Sequence, residues 1–577
     1  MTDRTNASSV PGAAGMEGPS DKLFRCRWVR NKVPMAHREE LYQILRMTGP
    51  LLLARILHYL LPFVVTMFCG RLGNDVMAGY GLASATLNVT SAATGFGLAL
   101  ACDTLVSQTF GGRNLLRVGV ILQRGILILL LFCLPCWGLL INAQAILLCL
   151  GQDPVVARIA QLYITAYLPA VPAMYLHHLQ VSYLQNQGII MPQMYAAALA
   201  NIANVATNYI FIYWLDLGVV GSAAANTLSQ VYICVFLFGY IWWKKLHTTT
   251  WGGWSVESLQ EWGSYMKLAI PSTLMTCFEW WVYEFGGFFA GMLSEEELAA
   301  QHAVIMVAFL TYMFPLGIQA AACARVGNAL GAGDTARAIL SSKLSLALAG
   351  CFAIVEGLVL GSTKSVIGFI SHQSWVSKIV GLVSHLMNAY CFLQFFDGLC
   401  VCTGIFLGTG KQKIPAVAHL IGYYCIGLPL CVTLMFVAKL RILGFWLGLL
   451  ICVILQSTFY IVVIFKLNWE KMTEELCASR NTKMFEGYVP VTTENNDGKL
   501  EVSDRRAVPE QRRERLSSSQ LILRRGFTVF AALGLLGVGI IVHFLVPLPE
   551  TQFTKANTTE GWINTTYAPS QYFSTVQ

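Results

Sequence analysis

The sequence predicts an all-α polytopic membrane protein, built as two pseudo-symmetric six-helix bundles in parallel repeat plus a thirteenth C-terminal transmembrane helix. Three observations carry that expectation: a scarcity of charge, thirteen apolar stretches of spanning length, and an internal repeat of about 221 residues. Asp, Glu, Lys and Arg make up 12% of the 577 residues, about half the ~25% usual in soluble proteins. Twelve of these charges lie in residues 1–45 and 22 in residues 466–525, so the rest of the chain is too apolar to face water.

The apolar stretches cover about 46–69, 76–106, 118–141, 158–184, 190–214, 219–242, 266–292, 298–322, 338–361, 377–403, 415–438, 443–465 and 527–547. Each is long enough, as a helix, to cross roughly 30 Å of hydrocarbon at ~1.5 Å per residue. Backbone groups in lipid must bond within their own segment, and the period-two alternation of a membrane β-barrel is absent, which leaves helices. The 17 cysteines sit mostly within these stretches and read as packing residues rather than metal or redox ligands.

Lys and Arg should gather in cytoplasmic loops. Arg25, Arg27, Arg30, Lys32 and Arg38 precede the first span, and alternate loops hold Arg113 with Arg117, Lys244 with Lys245, Arg325 with Arg337, Lys411 with Lys413, and the run Arg505 to Arg515. The other loops carry Asp75, Asp153, Asp216 and Glu295 to Glu297, while Lys364, Lys378, Lys439 and Arg441 run against the trend. The N-terminus is therefore expected inside and, after thirteen spans, the C-terminus outside. The acceptor triplets beginning at Asn557 and Asn564 then fall on the side where glycosylation occurs. The net charge of +8 suits an anionic inner leaflet, and no nucleic-acid partner is expected.

Gly49-Pro50 opens the first span and Ile270-Pro271 the seventh, and Gly70 and Gly291 close them. Phe110 to Asn114 aligns with Leu330 to Asp334, Asn186 to Gly188 with Gly410 to Gln412, and Leu217 to Gly221 with Leu443 to Gly448. One order at nearly one spacing implies two copies of a six-span unit, and an even span number sets both copies in the same sense. The expected organisation is a cytoplasmic segment 1–43, an N-lobe 44–245, a linker 246–264, a C-lobe 265–466, a disordered cytoplasmic linker 467–525, a thirteenth helix 526–547 and an extracellular tail 548–577. Two such bundles enclose a cleft, the geometry of an alternating-access carrier. Gly404 to Lys411 lacks the spacing of a phosphate-binding loop, so an ion gradient rather than ATP, and no cofactor, is the expected drive. No enzymatic activity is expected.

Six segments carry a family resemblance: Phe68 to Gly73, Ala101 to Leu105, Val118 to Arg124, Thr250 to Ser255, Glu279-Trp280-Trp281-Val282-Tyr283-Glu284, and Arg325 to Asp334. Across residues 40–545 the chain resembles the multidrug and toxin extrusion family, in particular its vertebrate proton-coupled organic cation exporters. The resemblance implies two six-helix lobes, an added C-terminal helix, and exchange of an incoming proton for an outgoing organic cation at the plasma membrane by a monomeric unit.

Ionisable groups inside spans are costly and mark function. Glu279 and Tyr283 share one helical strip and Trp280 and Glu284 an adjoining one, which places carboxylates beside aromatic faces, as a bulky cation requires. Burial disfavours the charged form of a carboxyl group, so proton and cation would compete for one acid. The alternative is a Trp-rich span end with both glutamates paired at the interface. By resemblance, Asn88, Asp397 and Tyr312 occupy further site positions. Two departures stand out: Arg55 where the family commonly has glutamine, and Ile305-Met306 where it has a Tyr-Glu pair. One acid lost and one base gained imply a cavity less attractive to cations, unless Arg55 pairs with Asp397 or Glu279 or turns to the headgroups. His58, His177 and His178 read as packing residues, with proton relay as the alternative. A sodium-coupled carrier, a flippase for anionic or lipid-linked cargo, and a non-transporting relative remain open.

Overall fold

The computed structural model describes residues 33–363, 374–485 and 516–548, and these residues are helical almost throughout. The N-terminal half contains α1 (Met35–Leu72), α2 (Asn74–Leu87), α3 (Ala93–Gly111), α4 (Leu115–Ile141), α5 (Ala143–Cys149), α6 (Pro154–Tyr167), α7 (Ala170–Gln185), α8 (Met191–Tyr209) and α9 (Gly218–Trp243). The C-terminal half contains α10 (Trp262–Leu293), α11 (Glu295–Ala332), α12 (Thr335–Thr363), α13 (Ser374–Asp397), α14 (Val401–Thr409), α15 (Lys413–His419), α16 (Leu428–Val432) and α17 (Ile442–Lys466). Two more helices follow, α18 (Trp469–Phe485) and α19 (Ser518–Leu545).

Among the described residues ten helices are long and apolar enough to span a bilayer, and eleven if α6 and α7, bent by 57°, form one broken span. The remaining two of the thirteen expected stretches are helical, but polar side chains dilute them: Gln193, Asn201, Asn204 and Asn208 in α8, and Lys267, Glu279 and Glu284 in α10. Asn201 and Asn204 donate to the carbonyls of Leu57 and Leu61 on α1, which pairs their amide donors inside the bundle.

The repeat extends to backbone detail. Arg113 and Gly333 both adopt positive φ, as do Gly188 and Gly410, Asp216 and Lys439, and Gly218 and Arg441. Asn114 then caps α4 through the Arg117 N–H at 3.4 Å, and Asp334 caps the Arg337 N–H at 2.9 Å. A five-residue π-helical turn ends the fifth span of each half, Ile210–Trp214 and Thr433–Val437. Turns, caps and bulges thus recur at the sequence offset, because each half solves the same local problem with the same dihedrals.

The stretch from residue 467, expected to be disordered, instead begins with α18, whose Trp469 and Met472 are buried against the C-terminal half. Trp469 and Met472 supply the apolar anchors that the charge-rich composition of this segment masks. The last helix starts at Ser518, earlier than the expected 526, with a capping box formed by Ser517 and Gln520. It packs on α4 where Gly138 and Gly539 meet backbone to backbone: a Cβ on Gly539 would lie 2.6 Å from the Gly138 Cα. Asn142 donates to the Gly539 carbonyl at 2.8 Å, and Arg525 donates to the Leu259 carbonyl while lying over the Trp262 ring.

Several hydrogen bonds and an ion-pair cluster join the two halves at one end, that of Gln108 to Gly111 and Asn328 to Gly331. Thr104 donates to the Leu407 carbonyl at 2.8 Å and Gln108 to the Gly408 carbonyl at 2.9 Å. A Cβ at Gly331 would sit 1.9 Å from the Gln108 carbonyl oxygen, so only glycine permits this approach. Glu40 on α1 takes Arg325 in a two-bond ion pair, and also accepts from Arg337 and Ser341. At another loop Arg441 pairs with buried Glu297, whose other oxygen accepts the Ile442 N–H at 2.9 Å. That pairing gives Arg441 a place among the acidic loops.

Candidate functional site

Helix α10 faces the N-terminal half through small and hydroxyl residues. Ser272, Thr273 and Thr276 return their hydroxyls to carbonyls one turn back, and Gly97 on α3 lets the helices touch, since a Cβ there would lie 2.4 Å from the Thr273 Cα. One turn further on, α10 presents Glu279 and the tryptophans that follow it.

Tyr312 of α11 donates its hydroxyl to Glu279 Oε1 at 2.6 Å. Asp397, the last residue of α13, lies near enough for its charge and that of Glu279 to act on each other, and Tyr283 lies in the field of both. Tyr423 is in the same field, and His419, whose Nδ1 lies 2.9 Å from the Met275 carbonyl, is in that of Glu279. Two carboxyl groups, three tyrosines and a histidine therefore meet inside the C-terminal half. Such a cluster can hold a proton or a cation on an acid and steady the ionised form with phenol donors.

Trp280 stacks on Phe96 of α3 across the boundary between the halves, with centroids 5.8 Å apart and planes 20° from parallel. Trp281 donates to the Val89 carbonyl at 3.1 Å within the π-helical turn Asn88–Ala92. Asn88 opens that turn and is exposed, so the turn that carries it is tied to α10 by Trp281. Glu284 is also exposed and lies away from the Glu279 cluster, as an offset of five residues on a helix dictates. Of the expected site residues, then, Glu279, Tyr283, Tyr312 and Asp397 come together, Trp280 borders them, and Asn88 and Glu284 stand apart.

Arg55 approaches neither Glu279 nor Asp397. It lines a cavity of the N-terminal half with Phe96, Asp103 and His178, which continues to His58, His177 and Gln193. At the position of the lost acid, the Met306 sulfur accepts from the Tyr59 hydroxyl at 3.3 Å, joining α1 to α11. Asp103 is buried and accepts from Ser182 at 2.8 Å, Gln185 at 2.9 Å and Asn186. Asn557 and Asn564 lie outside the described residues.

Three features escape a reading of the sequence by span interior alone. Glu40 sits at the edge of the first span, and its partners are almost 300 residues away. Glu356 on α12 has a buried carboxylate oxygen without a partner, and an acid in the ninth apolar stretch was the available signal. His419 and Tyr423 have no composition signal; His419 ends α15 and Tyr423 lies in the π-helical turn Leu420–Gly427 that follows.

Repeated halves of long apolar helices, closed against each other at one end, with an acid cluster inside the C-terminal half and aromatic rings stacked at the boundary, define a membrane carrier. The chain belongs to the MatE family, whose profile matches residues 50–210 and 271–433, two segments that start 221 residues apart. It is 51% identical to multidrug and toxin extrusion protein 1 of Danio rerio over 78% of this chain and 76% of that one. It is 42% identical to multidrug and toxin extrusion protein 1 of Mus musculus over 93% and 98%. The crystal structure of the eukaryotic MATE transporter AtDTX14 superposes with a TM-score of 0.73 at 25% identity, covering 77% of this chain and all of that one.

Proposed function

We propose that this chain, a secondary multidrug efflux transporter of the MatE family, exports small organic cations across the plasma membrane in exchange for protons. The observation that carries this reading is the hydrogen bond from Tyr312 to Glu279 at 2.6 Å, with Asp397 in electrostatic reach and the Trp280–Phe96 stack alongside. An ionised Glu279 holds a cation that also rests on an aromatic face, each well-placed ring adding roughly 0.5–2 kcal/mol. A proton arriving from the other side neutralises the acid, removes the attraction and releases the cation. Competition for one carboxylate makes the exchange obligatory.

In this reading no cofactor takes part, the transport unit is one chain, the N-terminus is cytoplasmic, and Asn557 and Asn564 are extracellular glycosylation sites. The test is tetraethylammonium flux in proteoliposomes under an imposed pH gradient, with a sodium gradient alone as the contrast. Flux should follow the pH gradient and vanish in Glu279→Gln. Flux that follows sodium, or survives that substitution, overturns the reading.

A further inference from the structure

The cavity of the N-terminal half collects polar side-chain atoms that no group among the described residues satisfies. It lies between α1, which gives Arg55 and His58, α7, which gives His177 and His178, and α8, which gives Gln193. His58 Nδ1, His177 Nδ1 and Gln193 Nε2 are buried without a partner, and His177 and Gln193 are only 5% and 4% exposed. A buried polar group left unpaired costs about 1–3 kcal/mol, so several at one site indicate an acceptor that comes from outside. The acid facing Arg55 is Asp103; its charge acts on the guanidinium from a distance, while its Oδ1 is held by Ser182, Gln185 and Asn186. Among the described residues no carboxylate comes within ion-pairing distance of the guanidinium.

We propose that Arg55, His58, His177 and Gln193 form an oxyanion subsite that takes the carboxylate of an amphoteric organic substrate. The planar guanidinium fork matches a carboxylate in two parallel bonds, and the imidazoles and the carboxamide supply further donors. A metal ion is a poor occupant. Among the described residues no three His, Cys, Asp or Glu side chains are placed to share one, and His58 and His177 are stacked at 5.5 Å with planes 14° apart.

Phe96 links this subsite to the cation site. Its ring lies 5.9 Å from the Arg55 guanidinium carbon, 5.5 Å from the His178 ring and 5.8 Å from the Trp280 ring. A molecule with a carboxylate at one end and a quaternary or protonated amine at the other can therefore set its anionic end at Arg55 while its cationic end lies on the aromatic faces of Phe96 and Trp280. The substrate class follows: short aromatic or aliphatic zwitterions, bound by their anionic end in the N-terminal half with their cationic end toward Trp280 on α10, the helix that carries Glu279. This inference rests on the transport reading of Glu279 for its second anchor, though not for the oxyanion subsite itself.

A matched pair of solutes tests it, phenyltrimethylammonium and 4-carboxyphenyltrimethylammonium, in proteoliposomes of the full chain under a pH gradient. The wild type should transport the carboxylated compound at least as efficiently as the parent. Arg55→Gln should lower the ratio of kcat/KM, carboxylated over parent, tenfold or more, and Gln193→Leu should lower it by a smaller factor. The parent cation reports whether each variant is folded. An unchanged ratio in both variants, or wild-type rejection of the zwitterion while the parent moves, overturns the subsite. If the wild type moves neither solute, the transport reading fails instead, and calorimetric titration of the purified chain with benzoate decides the subsite separately. Binding that weakens tenfold in Arg55→Gln upholds it, and absent or unaltered binding overturns it.

Discussion

Glu279 owes its position to α10 and its environment to α11 and α13, and the Tyr312 hydroxyl is the group that favours its ionised form most directly. A hydrogen bond to a charged group contributes about 1.5–3 kcal/mol, so Tyr312→Phe should weaken cation binding roughly ten- to a hundredfold while leaving the helices in place. Unchanged tetraethylammonium affinity in that variant would assign Tyr312 a packing role only. The placement of Glu279 and Tyr283 on one strip was legible from helical spacing, whereas Tyr312 entered by the family resemblance alone, and its contact with Glu279 joins two spans that spacing cannot relate. The destination of Arg55 was not. Spacing places a side chain on a helix face, but whether α1 turns that face to α10 or to α7 depends on packing between segments more than a hundred residues apart.

At the scale of elements, the apolar spans, the repeat and its offset were readable because bilayer thickness and backbone hydrogen bonding leave few alternatives. The broken span between α6 and α7 and the helix in the charged segment after residue 467 were not, since each is set by tertiary contact. The closed end yields two expectations. Glu40→Gln leaves Arg325 largely buried without its counter-ion, a change worth about 3–5 kcal/mol for a buried pair, and should lower the thermal midpoint of the purified protein. Gly331→Leu introduces a side chain whose Cβ alone would lie 1.9 Å from the Gln108 carbonyl oxygen, so the halves cannot close and exchange should stop in a protein that still folds, as size-exclusion and thermal profiles would report. By contrast, α19 touches α4 and the turn before α10 rather than the Glu279 cluster. Truncation after residue 515 should therefore leave tetraethylammonium exchange within about twofold of the full chain, and loss of exchange would assign α19 a part in the cycle.

For the whole molecule, the decisive property is how much charge one cycle moves. Under the proposed exchange each conformational return carries a ligand, and Glu279, facing each side in turn, accepts either one proton or one monovalent cation. The carboxylate crosses neutralised in both directions, so the exchange of one for the other transfers no net charge. A carrier that moved one elementary charge per cycle would gain ~2.3 kcal/mol per 100 mV, a change of about 40- to 50-fold in the accumulation ratio at ~1.4 kcal/mol per decade. Steady-state accumulation of tetraethylammonium in proteoliposomes with a fixed pH gradient should therefore stay constant when potassium and valinomycin set the potential at 0 or −100 mV. Accumulation that follows the potential would mean that a second charge travels with each cycle. Asp397 is the group placed to carry it, since it shares the field of Glu279, and Asp397→Asn should then restore independence of the potential.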